Sequence, residues 1–209
     1  MTEKAPERVR DAERTREAIL AGAEELFARL GFDAASLYQI AVAAGVARAT
    51  PAYFFGSKEA LYDAVLARVV TRAQETMTRA YTESDQAASP EDAVESYVGA
   101  WLAFLSSDLN FLRLMQREAL GDGSRITEFF GSAIAEGLAA VEPAAEKAGI
   151  APERLILDLT ALCWYPFAHE HTLLPVLGMK PREPEFLDEQ KQHIGDIVRA
   201  MTGKAEAPS

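Results

Sequence analysis

Ile19, Leu20, Ala23, Leu26, Phe27 and Leu30 recur at spacings of one, three, three, one and three residues. That rhythm lines one side of a helix and suits neither face of a strand. Gly31 follows at once, the residue type that stops a helix where the backbone needs φ > 0. The same pattern governs the rest of the chain. Alanine is abundant, β-branched runs are short, and no pair of alternating apolar segments flanks an Asn-Gly or Asp-Gly hairpin signal. The sequence predicts an all-α fold.

After Gly31 the helices become short. Ser36-Leu37-Tyr38-Gln39 is a capping box, in which a hydroxyl and an amide side chain satisfy two otherwise orphaned backbone donors. Leu37, Ile40, Ala41 and Ala44 give the helix that follows an apolar face, and Gly45 ends it after about two turns. A third helix is expected from about Arg48 to Phe55. Ser57 is placed to cap a long fourth helix from Lys58 to about Tyr81. Two short helices across a Gly turn, preceded by a longer one, form a helix-turn-helix arrangement. Leu37, Ile40, Ala41, Val46 and Ala49 are expected to lock the pair, leaving Arg48, Thr50 and Tyr53 pointing outward.

The polar segment 82–90 reads as a loop, and Ser89-Pro90-Glu91-Asp92 as the start of a fifth helix, with acids where the helix dipole favours them. Trp101, Leu102, Leu105, Leu109, Leu112 and Met115 continue the apolar pattern up to the turn Gly121-Asp122-Gly123. Another helix is expected over about 125–148, with Pro143 a candidate kink, and Gly149 and Pro152 separate it from the next. Residues 153–178 are the most apolar stretch and are read as one long helix. The last helix is expected over about 185–201, with a disordered tail beyond Gly203.

Composition narrows the functional classes. The 209 residues carry a net charge of −11. Residues 1–60 hold 8 Lys/Arg against 9 Asp/Glu, which leaves −10 on the remainder. A nucleic-acid partner would therefore have to be held by a few placed cations, not by bulk charge. A single cysteine, Cys163, excludes an intrachain disulfide, and three histidines are thin provision for a metal site. No metal or cofactor is expected. With no apolar run approaching ~18 residues and no apolar signal segment at the start, the expectation is a cytoplasmic protein without a membrane span. No Gly-x-Ser-x-Gly elbow, phosphate-binding Gly-rich loop or Cys-His signature points to an enzyme.

Residues 14–61 resemble the DNA-binding domain of the TetR family of bacterial repressors. The resemblance is carried by Ala18-Ile19-Leu20 with Leu26-Phe27, Gly31-Phe32, Ile40-Ala41 with Ala44-Gly45-Val46, Arg48-Ala49-Thr50, Phe55, and Ser57-Lys58-Glu59-Ala60-Leu61. It implies that Arg48, Thr50 and Tyr38 face bases while Ser36, Tyr53 and Lys58 contact phosphates, assignments that suit the chemistry of these side chains. The chain departs from the family pattern at Ala47, where an N-cap hydroxyl is usual, and at Pro51-Ala52, where Leu-Tyr is usual. Pro51 belongs only in a helix's first turn and disfavours α geometry at Thr50, so it predicts a later or bent start to the recognition helix.

The resemblance further implies an N-terminal arm (1–12), a three-helix DNA-binding domain (13–73) and a larger helical domain (74–209) for effector binding and dimerisation. The expected partners are a palindromic double-stranded DNA operator, a second copy of the chain and a small hydrophobic effector. Trp101, Phe104, Met115, Trp164, Tyr165 and His169 either pack as ordinary core or line the effector cavity. Ile194, Ile197 and Val198 are candidates for the homodimer interface. Arg8, Arg10, Arg14 and Arg16 alternate with acids and read mainly as a solvated face, with Arg8 or Arg10 reaching the DNA backbone as the alternative. His169-Glu170-His171 reads poorly as a metal site, because residues two apart point about 200° apart around a helix. The function expected is a repressor released from its operator by effector. The rival readings are an all-helical enzyme, or a protein-interaction scaffold, with an incidental helix-turn-helix.

Overall fold

The computed structural model describes residues 7–84, 87–121 and 123–205, and all the regular structure among them is helical. In chain order the helices are α1 (Glu7–Leu30), α2 (Leu37–Ala43), α3 (Thr50–Phe55), α4 (Lys58–Ser84) and α5 (Pro90–Ser107). There follow α6 (Leu109–Ala119), α7 (Ser124–Ala148), α8 (Pro152–Ala168), the single turn α9 (Leu173–Val176) and α10 (Pro184–Ala205). The described residues divide into two compact units. One gathers the chain up to Val70 with Arg113–Ile126, and the other Thr71–Leu112 with the chain from Thr127 onward.

In the first unit the apolar stripe of α1 is buried as its period requires. Ile19, Ala23 and Phe27 are fully covered, as are Ile40 and Ala41 of α2, which packs on α1, and Leu61, Val65, Leu66 and Val69 of α4. Each large side chain so buried contributes roughly 1.5–3 kcal/mol. The Phe27 and Tyr62 rings meet edge to face at 4.9 Å. α1 and α2 approach closely at Gly22, where a Cβ would come within 3.2 Å of the Ala43 methyl. α1 begins at Glu7, so residues 7–12 of the expected arm are helical, and residues 1–6 of it lie outside the described residues.

Residues 113–126 complete this unit through three polar ties. Arg117 donates from Nε to the Ala28 carbonyl (3.2 Å) and from Nη2 to the Arg29 carbonyl (2.9 Å), closing the C-terminus of α1. The Tyr62 hydroxyl donates to Glu118 at 2.6 Å. Burial, followed by that bond, pushes the phenol well above its ordinary range. Arg125 pairs with Asp63 at 3.3 Å.

In the second unit α10 and α8 both pack against α5. Met77 and Ala80 of α4, Tyr97 of α5 and Ala140 of α7 share one buried cluster with Ile156 of α8 packed against it. α7 lies close to Tyr97 because Gly137 has no side chain; a Cβ there would stand 3.1 Å from the phenol oxygen. Asp108 separates α5 from α6 and serves both its neighbours. One oxygen caps α6 by accepting the Phe111 amide at 2.9 Å, and the other takes Nε and Nη2 of Arg72 at 3.0 and 2.7 Å.

Two helix boundaries differ from expectation. α7 runs straight through Pro143 in its secondary structure, but the apolar stretch 153–178 is not one helix. α8 ends at Ala168, two residues past Pro166. Pro166 has no amide to give the Leu162 carbonyl, and Gln190 of α10 fills that vacancy with a 3.0 Å bond from Nε2. The last helix begins at Pro184 and continues to Ala205, past Gly203, where the sequence predicts a loose tail. The expected tail beyond 205 lies outside the described residues.

Candidate nucleic-acid interface

The two short helices are fixed by local chemistry before packing is considered. The Ser36 hydroxyl accepts the Gln39 amide at 3.2 Å, and Gln39 Oε1 accepts the Ser36 amide at 2.9 Å, completing the capping box. Gly45, at φ 67, turns the chain out of α2, and the Val46 amide closes back on Ala41 at 3.0 Å. α3 then begins at Thr50, later than the expected Arg48, with Ala49 at its N-cap and no side-chain cap. Ala47 and Ala49 offer no hydroxyl, and Pro51 is accommodated in the first turn. Pro51 is also the buried residue of α3. Ala49, expected to lock the pair, is exposed.

The candidate DNA contacts fall into three groups. Arg48, in the turn before α3, lies over the ring of Tyr38 with Cζ 5.5 Å from the centroid, and both side chains are exposed. Tyr53 is 85% exposed, while Thr50 is half-buried at the start of α3. Lys58 is half-buried: its ammonium donates to the Asp33 carbonyl at 3.2 Å and sits 4.5 Å from the Phe32 centroid. Ser36 is exposed but already engaged in its cap, and Ser57 caps α4 by accepting the Ala60 amide at 3.1 Å.

Tyr38 and Tyr53 are both exposed aromatics, and Arg48 lies over the first of them while Tyr53 meets Phe54 edge to face at 5.5 Å. Val42, one turn beyond Tyr38 and 62% exposed, extends that surface and is a position the sequence reading missed. Of the N-terminal cations, Arg14 pairs loosely with exposed Asp11 and Arg16 lies over Phe55 at 4.9 Å. Arg10 is exposed, and the side chain of Arg8 lies outside the described residues.

The candidate effector residues do not all come together. Trp101, Phe104 and Trp164 gather around Phe111, which the sequence reading did not single out; the centroid separations are 5.8, 5.0 and 6.2 Å. Trp101 and Phe104 also stack at 5.5 Å. Tyr165 and His169 instead pair with each other at 4.2 Å, with Tyr165 47% exposed. Met115 is buried and belongs to the first unit. A recess of about 530 Å3 in the second unit is lined by Glu170, His171, Pro175, Met179, Lys180 and Arg182, none of them a candidate effector residue.

Two further expectations meet the structure here. Ile194 and Val198 are fully buried within their own chain, so they have no surface to offer a second copy; Ile197 is partly exposed. Their apolar period marks the inner face of α10, and a monomer core needs such a face as much as a dimer does. In His169-Glu170-His171, Glu170 holds Arg182 at 2.9 Å and His169 meets the Thr172 hydroxyl at 3.1 Å. Among the described residues no group of three metal-ligating side chains gathers, and no helix is long and apolar enough to cross a membrane.

Comparison with known proteins extends the resemblance across the chain. The profile described as bacterial regulatory proteins, tetR family, matches residues 19–65, and that of the tetracyclin repressor-like C-terminal domain matches residues 90–198. The HTH-type transcriptional repressor NicS of Pseudomonas putida is 24% identical over 207 residues, covering 94% of this chain and 96% of its own. The HTH-type transcriptional regulator RutR of Escherichia coli is 46% identical over 55 residues, 26% of either chain. Among solved structures, a TetR-family regulator from Mesorhizobium loti superposes with a TM-score of 0.68 at 18% identity, over 92% of this chain and 97% of its own. FadR of Bacillus subtilis, solved with stearoyl-CoA, gives 0.66 at 14% identity, over 87% and 96%. With its two profiles matched in order and the short capped helices, exposed Arg48 and all-helical remainder in place, the chain belongs to the TetR family of bacterial DNA-binding transcriptional regulators.

Proposed function

We propose that this regulator is a homodimeric repressor which reads a palindromic operator and leaves it when a small hydrophobic effector binds. The observation that carries the reading is the exposed Arg48–Tyr38 pair, set on α2 and the turn into α3 by the capping box and Gly45, with Tyr53 exposed on α3. An arginine so placed can bind guanine through both its fork nitrogens, while the Tyr53 hydroxyl suits a phosphate. Phosphate contacts alone would not need a built scaffold; base readout does.

The family's usual dimer brings two recognition helices to half-sites one helical turn apart, ~34–36 Å. In this chain the outward apolar residues of α8, Leu157 (59% exposed) and Tyr165, together with Ile197 of α10, are the surface suited to a second copy. An effector packing against Trp101, Phe104, Phe111 and Trp164 would act on α6. That helix carries Phe111 near one end and the Arg117 and Glu118 ties to α1 and α4 near the other. A ligand that prefers one arrangement of α6 by ~2 kcal/mol would change operator occupancy more than tenfold. The relative solved with stearoyl-CoA supports an apolar organic ligand as the class.

The decisive experiment is an electrophoretic mobility shift with DNA from upstream of the protein's own gene. A discrete complex that survives non-specific competitor and dissolves on adding a hydrophobic compound that raises the melting temperature is the expected result. Absence of any retarded fragment at micromolar protein would reject the reading, leaving a scaffold or enzyme to be sought.

A further inference from the structure

A second recess in the molecule lies wholly within the first unit, lined by Ala28 and Arg29 at the end of α1 and by Arg113, Gln116, Arg117 and Leu120 of α6 and its exit. Its volume is about 460 Å3, within the range of small-molecule sites. Three guanidinium groups line it and no carboxylate does, in a chain whose net charge is −11. Such a concentration of one sign runs against the rest of the molecule.

Arg117 is partly spent, since its Nε and Nη2 hold the Ala28 and Arg29 carbonyls. It thereby also neutralises the partial negative charge that a helix C-terminus would turn toward an anion. The nearest acid in sequence, Glu118, is engaged by the Tyr62 hydroxyl. Arg29 and Arg113 have no acidic partner among the described residues. At the rim Leu120 is 89% exposed, an apolar side chain with nothing over it.

We propose that this recess binds a phosphate-bearing small molecule, with Arg29 and Arg113 taking the phosphate oxygens and Leu120 covered by the rest of the ligand. A single carboxylate is satisfied by one guanidinium fork; two guanidinium groups lining one recess suit an oxyanion with three free oxygens and up to two charges. The volume suits a small molecule, and a duplex backbone is the other occupant the test separates. The site does not depend on the operator-binding reading and can be tested without DNA.

The test is isothermal titration of the full-length protein at fixed ionic strength with pyrophosphate, AMP and citrate. Arg29→Gln, Arg113→Gln and the double variant serve as comparisons, and Arg117 is left intact because it closes α1. The expected result is saturable binding of pyrophosphate and AMP, weakened about tenfold by each substitution. Unliganded melting temperatures should be unchanged, and AMP should raise that of the wild type only. Binding unaffected by both substitutions, or citrate bound as tightly as pyrophosphate, would overturn the proposal. So would a wild type that ignores both phosphate probes while the double variant loses affinity for a random-sequence duplex, for then the arginines serve DNA phosphates.

Discussion

Arg48 and Lys58 are both cations on the same unit, yet their surroundings assign them different work. Arg48 is exposed and lies over the Tyr38 ring, in position to reach into a groove. Lys58 is half-buried and tied to the Asp33 carbonyl beside Phe32, which limits it to what lies at the start of α4. Truncating Arg48 to alanine should cost ~1–3 kcal/mol at the cognate site and relax discrimination at one base pair. Lys58→Ala should weaken all duplexes alike and lower the salt slope by about one. Binding isotherms on cognate and scrambled DNA at several salt concentrations separate the two, and an Arg48 variant of unchanged specificity would remove that residue from base readout. Cys163 offers the contrasting case. Buried at 1% exposure, with its thiol pushed up to about 12 by desolvation, it is a packing residue rather than a reactive one.

At the scale of elements, helix ends carry the arguments that single residues cannot. Gly31 closes α1 at φ 85, and a Cβ there would lie 2.8 Å from Arg117 Nη1. Gly31→Ala should therefore destabilise the protein by about 1–2 kcal/mol from backbone strain alone. It should also displace the arginine that donates to α1's last carbonyls. Urea melts of the variant alone and combined with Arg117→Ala test this: the two losses should fall short of additive, and full additivity would show that the contact is inert.

The far end of the second unit is held differently. Glu91, 6% exposed in the first turn of α5, pairs with Lys147 of α7 at 3.0 Å. The Thr202 hydroxyl, then the backbone and Lys147, bring its carboxyl down to about 2 against an ordinary 4.5, despite the opposing effect of burial. A depressed carboxylate stabilises the fold fully above its unfolded pKa and loses that contribution as pH falls toward the folded one. The stability difference between wild type and Glu91→Gln should therefore be constant from pH 7 to about 5 and shrink from about 4.5 toward 2. A gap that stays level in thermal melts down to pH 3 would contradict the assignment.

For the whole molecule, the question is which apolar surface is left over once the chain has folded. Ile194 and Val198 are consumed by the core, so a charge placed at Ile194 should unfold the protein instead of dissociating a dimer. Leu157 and Ile197 still have surface, so Leu157→Glu or Ile197→Glu should leave a folded monomer of 22.8 kDa with weakened operator affinity. Light scattering with circular dichroism distinguishes these outcomes. A wild type that already scatters as a monomer at micromolar concentration would withdraw the dimer.

Period and punctuation alone determined much of this protein: the α1 stripe and its Gly31 stop, the Ser36–Gln39 cap, the Ser57 and Ser89 helix starts and the late entry into α3 forced by Pro51 all rest on interactions within a few residues. The helix-turn-helix was legible for the same reason. What a period of 3.6 cannot say is which neighbour covers a buried face, so Ile194 and Val198 read equally well as core or interface until α5 was seen against α10. Nor could spacing show that Phe111 completes the ring cluster, that Gln190 answers the carbonyl orphaned by Pro166, or that Arg117 closes α1 from far along the chain. Those partners are distant in sequence, and only the tertiary structure decides them, because each satisfies a ring face or a backbone group that local chemistry leaves open.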